Sequence, residues 1–289
     1  MDFPRFRIVL PPVIEQRKIA DLLSSLDDKI ALNRRMAGTL EGIARALFQN
    51  WFIDFDPVHR AAAGQDPGLV APLAAPFPTN ITQDGLPEGW TMGTISNLAA
   101  INPTTRLVNA LAAPYVDMAA LPTAGSRITR VAQRLPGSGA RFTNGDTLIA
   151  RITPCLENGK TAYVDCLPNE AVGWGSTEFI VLRPLADVPA GLLYLIARHK
   201  PFRAHLIAAM SGTSGRQRVQ ADAVDRWEIA IPPASVLRSF GELVDPMFAR
   251  MKALGEQNDT LAALRDTLLP KLISGELRVR DAEAIAAAA

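Results

Sequence analysis

The chain has 289 residues, 48% of them hydrophobic and 20% charged, a balance that excludes disorder throughout and any small scaffold held by disulfide or metal staples. Thirty basic against 29 acidic side chains leave +1, so bulk charge selects neither nucleic acid nor a membrane surface and the distribution of charge has to be read instead. Cys155 and Cys166 have no second pair and no nearby histidine, which excludes zinc-site spacing. Apolar runs stay below the ~18 residues that a membrane span needs, and the charged start leads into Pro11-Pro12 rather than a signal peptide, so a cytoplasmic protein is expected.

The first expected element is a short strand at 6–10, Ile8-Val9-Leu10, stopped by Pro11-Pro12 and followed by a long amphipathic helix within 1–56. Along that helix Ile19, Leu26, Asn33, Leu40 and Leu47 alternate with Leu23, Ile30, Ala37 and Ala44, the 4-3 spacing of a coiled-coil seam. Residues 57–85 carry five prolines among Ala, Gly and polar residues, which marks a linker. From Leu86 to about 231 the sequence breaks into short segments. Strands are expected at Tyr115–Met118, Asp146–Ala150, Thr161–Val164 and Glu178–Leu182, with turns at Asn144-Gly145, Asn158-Gly159 and Gly173-Trp174-Gly175 and one helix at about 190–210.

Ile229-Ala230-Ile231-Pro232-Pro233 then repeats the opening strand and its prolines at an offset of 221 residues. The offset carries forward without a gap, pairing Ile19 with Phe240, Leu26 with Met247, Leu40 with Leu261 and Leu47 with Leu268. A second seam helix is therefore expected over 232–280, with Met247, Met251, Leu254, Asn258, Leu261 and Leu268 on its pairing face, a kink at Pro246 and a stop at Pro270. Asn33 and Asn258 place one asparagine in each seam, either as a register-setting contact or as a partly solvated position. Residues 281–289 are alanine-rich and expected to be a disordered tail. The fold class that results is α+β: a mixed α/β globule flanked by two long coiled-coil helices.

Charge is concentrated in the globule. Residues 126–160 balance at +4 and residues 198–218 at +5, which leaves −8 on the other 233. That is the distribution expected where the globule meets phosphate and the helices meet protein. Ser211-Gly212-Thr213-Ser214-Gly215-Arg216-Gln217-Arg218 offers backbone N–H groups and hydroxyls beside Arg and Gln donors, as an anion cradle or as a polar turn. The loop Arg151–Lys160 ends in Asn-Gly-Lys-Thr, but Pro154 occupies the position of the first glycine of a phosphate-binding loop, and nucleotide hydrolysis is rejected. His59, His199 and His205 form no metal-binding pair and are read as surface histidines; no nuclease, hydrolase or amino-methylating motif occurs. No catalytic residue and no metal ligand is assigned. Trp51, Trp90, Trp174 and Trp227 stand at element junctions, where core packing is the commoner use.

This chain resembles the DNA-specificity (S) subunit of type I restriction-modification systems. The resemblance is carried by Leu10-Pro11-Pro12-Val13-Ile14-Glu15-Gln16-Arg17-Lys18-Ile19-Ala20, the segment Ala46–Val58, Leu86-Pro87-Glu88-Gly89-Trp90 and Leu268–Leu277. It implies that the two helices are conserved spacers that pack antiparallel and dock on modification (methyltransferase) subunits. The globule at 86–231 would be a target-recognition domain on double-stranded DNA, directing adenine methylation and ATP-dependent restriction by partner subunits to a split site. S-adenosylmethionine, ATP and Mg are then expected only on those partners, a restriction/translocase subunit among them. The usual pattern has two recognition domains and this chain has one, as a truncated, split or half-size form; in the last case two copies would form a homodimer. Charge, loop placement and donor chemistry nominate Arg141, Arg151, Asn158, Lys160, Thr213, Ser214, Arg216, Gln217 and Arg218 for DNA contact. The competing readings are the recognition part of a fused restriction-methylation enzyme and a coiled-coil scaffold that does not bind DNA.

Overall fold

The computed structural model describes residues 10–65, 77–107, 111–168, 171–213 and 215–287. Contacts divide the chain into two compact units, one from residues 1–40 and 250–289 and the other from 41–249. Helix α1 (Val13–Phe48) leaves the first unit at Glu41, and α6 (Ala234–Ser274) returns to it at Arg250. The unit boundaries therefore fall inside the two long helices rather than at the expected 56/57 and 231/232.

In the first unit α1 and α6 run antiparallel. Ile19, Leu22, Leu26 and Ile30 of α1 pack with Leu261, Leu268 and Leu272 of α6, and at the polar layer the Asn33 amide donates to Gln257 Oε1 at 2.9 Å and Asn258 Oδ1 at 3.0 Å. Asn33 is fully buried, and only this antiparallel register brings the two seam asparagines together. Arg265 Nη1, 2.6 Å from Asp27 Oδ1, repeats the register one layer on. Leu23 and Asn258 are half-buried, whereas Met251 and Leu254 are buried.

Three expectations here are corrected. α6 continues through Pro246 and Pro270, because both prolines and the residues four before them, Glu242 and Asp266, face solvent, where water replaces the missing hydrogen bond. The helix ends instead at Gly275, whose φ of +76° is the left-handed conformation that a glycine supplies at a helix end. The tail is not disordered up to Ala287. Val279–Ala287 forms helix α7, which buries Val279 and Ala282 one turn apart in the same apolar cluster. Of the expected strand at 6–10, residues 6–9 lie outside the described residues and Leu10 is exposed coil.

In the second unit α1 passes into one π-helical turn, Gln49–Ile53, and then α2 (Asp56–Ala62). The linker thus starts as a helix, since Pro57 sits in its first turn, where no N–H is needed. Residues 66–76 of the linker lie outside the described residues. The segments that follow form three sheets. β1 (Thr91–Thr94) pairs antiparallel with β10 (Glu228–Ile231), closing the globule's two ends on each other. β2 (Ala99–Ile101), β9 (Phe179–Pro184), β6 (Thr147–Ala150) and β7 (Thr161–Tyr163) form an antiparallel sheet in the order 2-9-6-7. β4 (Ala132–Arg134), β3 (Ala113–Val116), β8 (Gly173–Gly175) and β5 (Arg141–Phe142) form another in the order 4-3-8-5, its β3–β8 pair parallel.

One core joins both four-stranded sheets through Val116, Phe142, Leu148, Phe179 and Val181. On its other face the 2-9-6-7 sheet meets α3 (Ala190–Arg198), which is buried from Gly191 to Ala197. Covered on both faces, β6 buries all four residues, so its sequence shows no alternation. Gly173-Trp174-Gly175, expected as a turn, is β8, one of the two inner strands of its sheet. Its glycines serve close approach rather than turning: a Cβ at Gly175 would fall on the Val116 carbonyl and one at Gly173 on the Phe142 ring. The single helix expected at 190–210 is two, α3 and α4 (Lys200–Ala208), because Pro201 has no N–H for the carbonyl of buried Ala197 and its ring would clash there, and the chain turns extended at His199, ψ 125°; the short α5 (Ala221–Asp225) follows before β10. Trp51, fully buried, packs on Phe77 and Phe240, and Trp90 on Phe52 and Phe55. His199 and His205 are half-buried against Phe48 and Trp227 rather than on the surface, because apolar side chains meet the broken helix on both sides.

Asp146, 1% exposed, precedes β6 and accepts from Arg183 Nε at 2.8 Å, Arg183 Nη2 at 2.6 Å and the Thr143 N–H at 2.8 Å. Asp146→Ala strands the Arg183 guanidinium against the sheet. The expected cost is about 3 kcal/mol, the lower end for breaking a buried pair because Arg183 retains some solvent; a loss below about 1 kcal/mol in urea unfolding would count against this account.

Candidate nucleic-acid interface

The loop Arg151–Lys160 leaves the end of β6 and returns into β7. Leu156, 1% exposed, anchors it, and Leu156 N–H to Ile152 O (3.0 Å), Asn158 N–H to Pro154 O (2.9 Å) and Lys160 N–H to Cys155 O (2.9 Å) wind it into consecutive turns. Gly159, at φ +72°, completes the reversal. The second segment, Ser211–Arg218, is a tight excursion closed by reciprocal hydrogen bonds between Ser211 and Arg218 at 3.0 and 2.8 Å, with Gly212 and Gly215 at positive φ.

The fold joins these two segments, which lie over fifty residues apart in sequence. Ile152 bridges Arg218, the Thr153 N–H donates to Gln217 O at 3.0 Å, and the Val219 N–H donates to Arg151 O at 2.9 Å. They form one continuous hydrogen-bonded surface at the ends of β6 and β9. Thr213, Arg216 and Asn158 are exposed on it and Gln217 is half-buried; Ser214 lies outside the described residues.

The charged members differ in what holds them. Arg218 lies side-on against Glu178, its Nε at 2.9 Å from both carboxylate oxygens and its Nη2 at 2.7 Å from Oε1. That pairing raises the guanidinium's pKa further. Arg151 approaches the same carboxylate at 4.0 Å through Nε and donates from Nη2 to Gln220 Oε1 at 2.8 Å. Lys160 turns inward and donates to the Met118 carbonyl at 2.7 Å. Arg141 donates to the Thr105 carbonyl at 3.2 Å and, with Arg151, Asn102, Thr177, Phe179 and Val181, lines an open cleft of about 390 Å³, mixed polar and apolar, beside the loop. Glu178, Gln220 and Asn102 were not among the nominated residues. Each meets its partner across 40 to 79 positions, so no local spacing in the sequence announces it.

The loop is positioned from beneath by Arg198. Its guanidinium donates to the carbonyls of Thr123 (2.9 Å), Gly159 (2.7 Å), Thr161 (2.8 Å), Pro122 (3.4 Å) and Gly125, and its Nε to the Tyr194 hydroxyl at 3.0 Å. Tyr194 donates to Glu41 of α1 at 2.6 Å. Burial pushes the Tyr194 phenol well above its usual pKa, and the Glu41 carboxylate adds to this. The hydroxyl therefore stays a donor. Among the described residues no group of three or more His, Cys, Asp or Glu could hold a metal ion, and no helix is long and apolar enough to cross a membrane.

These elements define a mixed α/β globule, preceded and followed in the chain by two seam helices, that presents a basic, loop-built surface. No family model matches the chain. Along 93% of its length it is 24% identical to the type I restriction enzyme HindI specificity subunit of Haemophilus influenzae, of which it covers 68%. It is 26% identical along 95% of its length to the type I restriction enzyme MjaIX specificity subunit of Methanocaldococcus jannaschii, of which it covers 61%. The crystal structure of the type I restriction-modification system S subunit from M. genitalium shares its fold, with a TM-score of 0.52 and 16% identity over 90% of this chain and 60% of that one. The homologues of this chain are thus type I restriction enzyme specificity subunits, and it spans roughly two thirds of their length.

Arg198→Lys keeps the charge but not the fork that reaches five carbonyls. Amides of 122–125 and 159–161 are expected to exchange with deuterium on the order of tenfold faster in this variant, as the loss of one or two net hydrogen bonds of about 1 kcal/mol would give. Unchanged protection of these loops would show that Arg198 does not hold them.

Proposed function

We propose that this chain reads DNA as the specificity subunit, or the recognition-bearing portion of one, in a type I restriction-modification complex. The observation that carries the reading is the joining of Arg151–Lys160 to Ser211–Arg218. Two segments nominated separately, from charge and from donor chemistry, form one polar surface through Ile152, Thr153, Gln217 and Arg218. Homology to named specificity subunits supports the same role. Exposed Arg216 supplies phosphate attraction, and Gln217 and Arg218 supply donors suited to base edges. Methyl transfer and DNA restriction belong in this reading to partner subunits that carry S-adenosylmethionine, ATP and Mg. The chain contributes the address, and the antiparallel helices contribute the surface on which modification subunits dock.

The test is co-expression with a modification subunit and mapping of adenine methylation on plasmid DNA at single-base resolution. Methylation at a split sequence that disappears when this chain is omitted is the expected result, and methylation indifferent to the chain would overturn the proposal. In direct binding, Arg216→Ala is expected to weaken all duplexes similarly and to lower the slope of log affinity against log salt by about 1. An unchanged slope would remove Arg216 from the interface.

A further inference from the structure

We propose that Glu178 is a positioning residue that turns Arg218 from a phosphate-seeking cation into a reader of base edges. The inference rests on the DNA-binding reading above. Glu178 stands in the turn between β8 and β9, where its N–H donates to Ser176 Oγ at 3.1 Å and its carbonyl accepts from the Arg151 N–H at 3.0 Å, so its backbone is pinned on both sides. Its side chain, 22% exposed, engages Arg218 through Nε and one hydrogen of Nη2.

A guanidinium held side-on in this way keeps its far edge. The second Nη2 hydrogen and those of Nη1 remain, with only a 3.5 Å contact from Nη1 to the Arg216 carbonyl among the described residues, and the Arg218 side chain is 41% exposed. Two parallel donors on that edge match the O6 and N7 acceptors of guanine in the major groove. The carboxylate acts on energy as well as on geometry. An unpaired arginine is drawn to any phosphate, whereas one whose charge is already balanced retains its directional donors but loses most of that indiscriminate attraction. Glu178 faces Arg151 and Arg218 together, so the trio carries +1 rather than +2 and the surface is less attractive to DNA of the wrong sequence.

The experiment uses the full chain and a library of random-sequence duplexes, selected to give a preferred duplex, with a scrambled duplex of the same composition as the non-specific probe. Glu178→Gln keeps the shape and removes the charge. Affinity for the preferred duplex is expected to fall about tenfold and affinity for the scrambled duplex to rise about threefold, with its salt slope steeper by about 1. Equal losses on both duplexes would mark Glu178 as merely structural and overturn the inference, and an unchanged ratio would do the same. If Glu178→Gln does not fold, Arg218→Lys decides, since it keeps the charge and loses the fork. Loss of preference at unchanged non-specific affinity supports the inference, and retained preference sinks it. A wild-type chain that enriches no sequence overturns the DNA-reading proposal itself, which separates that failure from a failure confined to Glu178.

Discussion

The arrangement of the basic loop surface depends on one guanidinium. Loops on a protein surface are held by few apolar contacts, and the segments 122–125 and 159–161 contribute no large apolar side chain to the core, leaning on the neighbouring Leu121, Leu156 and Ala162. Arg198 compensates by accepting the task of five carbonyls at once, which a planar fork can do and an ammonium cannot. Through Tyr194 and Glu41 the same guanidinium is tied to α1. The loop Arg151–Lys160 and a turn of the long helix are therefore members of a single hydrogen-bonded chain, and neither moves without the other's bonds being strained.

This gives the positive charge of the globule two different fates. Arg198, Lys160 and Arg141 bond to carbonyls, which satisfy their donors but leave the charge uncancelled. Arg130, Arg183 and Arg218 bond to the carboxylates of Asp117, Asp146 and Glu178 and contribute little to the field at a distance. A count of residues treats all six alike. The structure separates those whose charge stays uncancelled from those whose charge is balanced while their directed donors remain at the surface, and the proposed reading of DNA would draw on both kinds.

How much of this could be read from the sequence follows from the range of the interactions involved. The seam of α1 and α6 was legible because a helix repeats its exposure every few residues, and the 221-residue repeat doubled the signal. The partnering of Asn33 with Asn258 was legible only as a coincidence of two polar positions, since the register that joins them is tertiary. The loops were legible from Asn-Gly and Ser-Gly-Thr-Ser-Gly, which report local backbone freedom. The turn assignment at Gly173–Gly175 failed for the same reason. A glycine chosen for backbone approach to Val116 has the same local signature as one chosen for a turn, and the carbonyl it makes room for is 59 residues away in sequence. Pro246 and Pro270 misled because the cost of a helical proline depends on whether water reaches the orphaned carbonyl. Glu178 was invisible because the guanidinium its carboxylate pairs with, that of Arg218, lies 40 positions away.

The seam also constrains how copies of this chain can associate. The apolar residues of α1 from Ile19 to Ile30 are covered by α6 of the same chain, and the polar layer at Asn33 is satisfied there by Gln257 and Asn258. Covering that face requires no second copy. Apolar groups left exposed in the same unit include Val13 and Ile14 at the start of α1, at 62% and 73%, and, off the seam, Leu32 and Met36 on α1 and Leu269 and Ile273 on α6, between 37% and 42%. An assembly of two such chains through their helices has to add contacts outside the seam or open it and exchange one helix for its counterpart. The second route sacrifices the Asn33 hydrogen bonds unless the exchanged helix restores the same register. The internal repeat makes that restoration geometrically available, because each helix carries its asparagine in the seam; the unpaired Oδ1 of Asn33 is the one polar atom there that neither route would leave worse off than it already is.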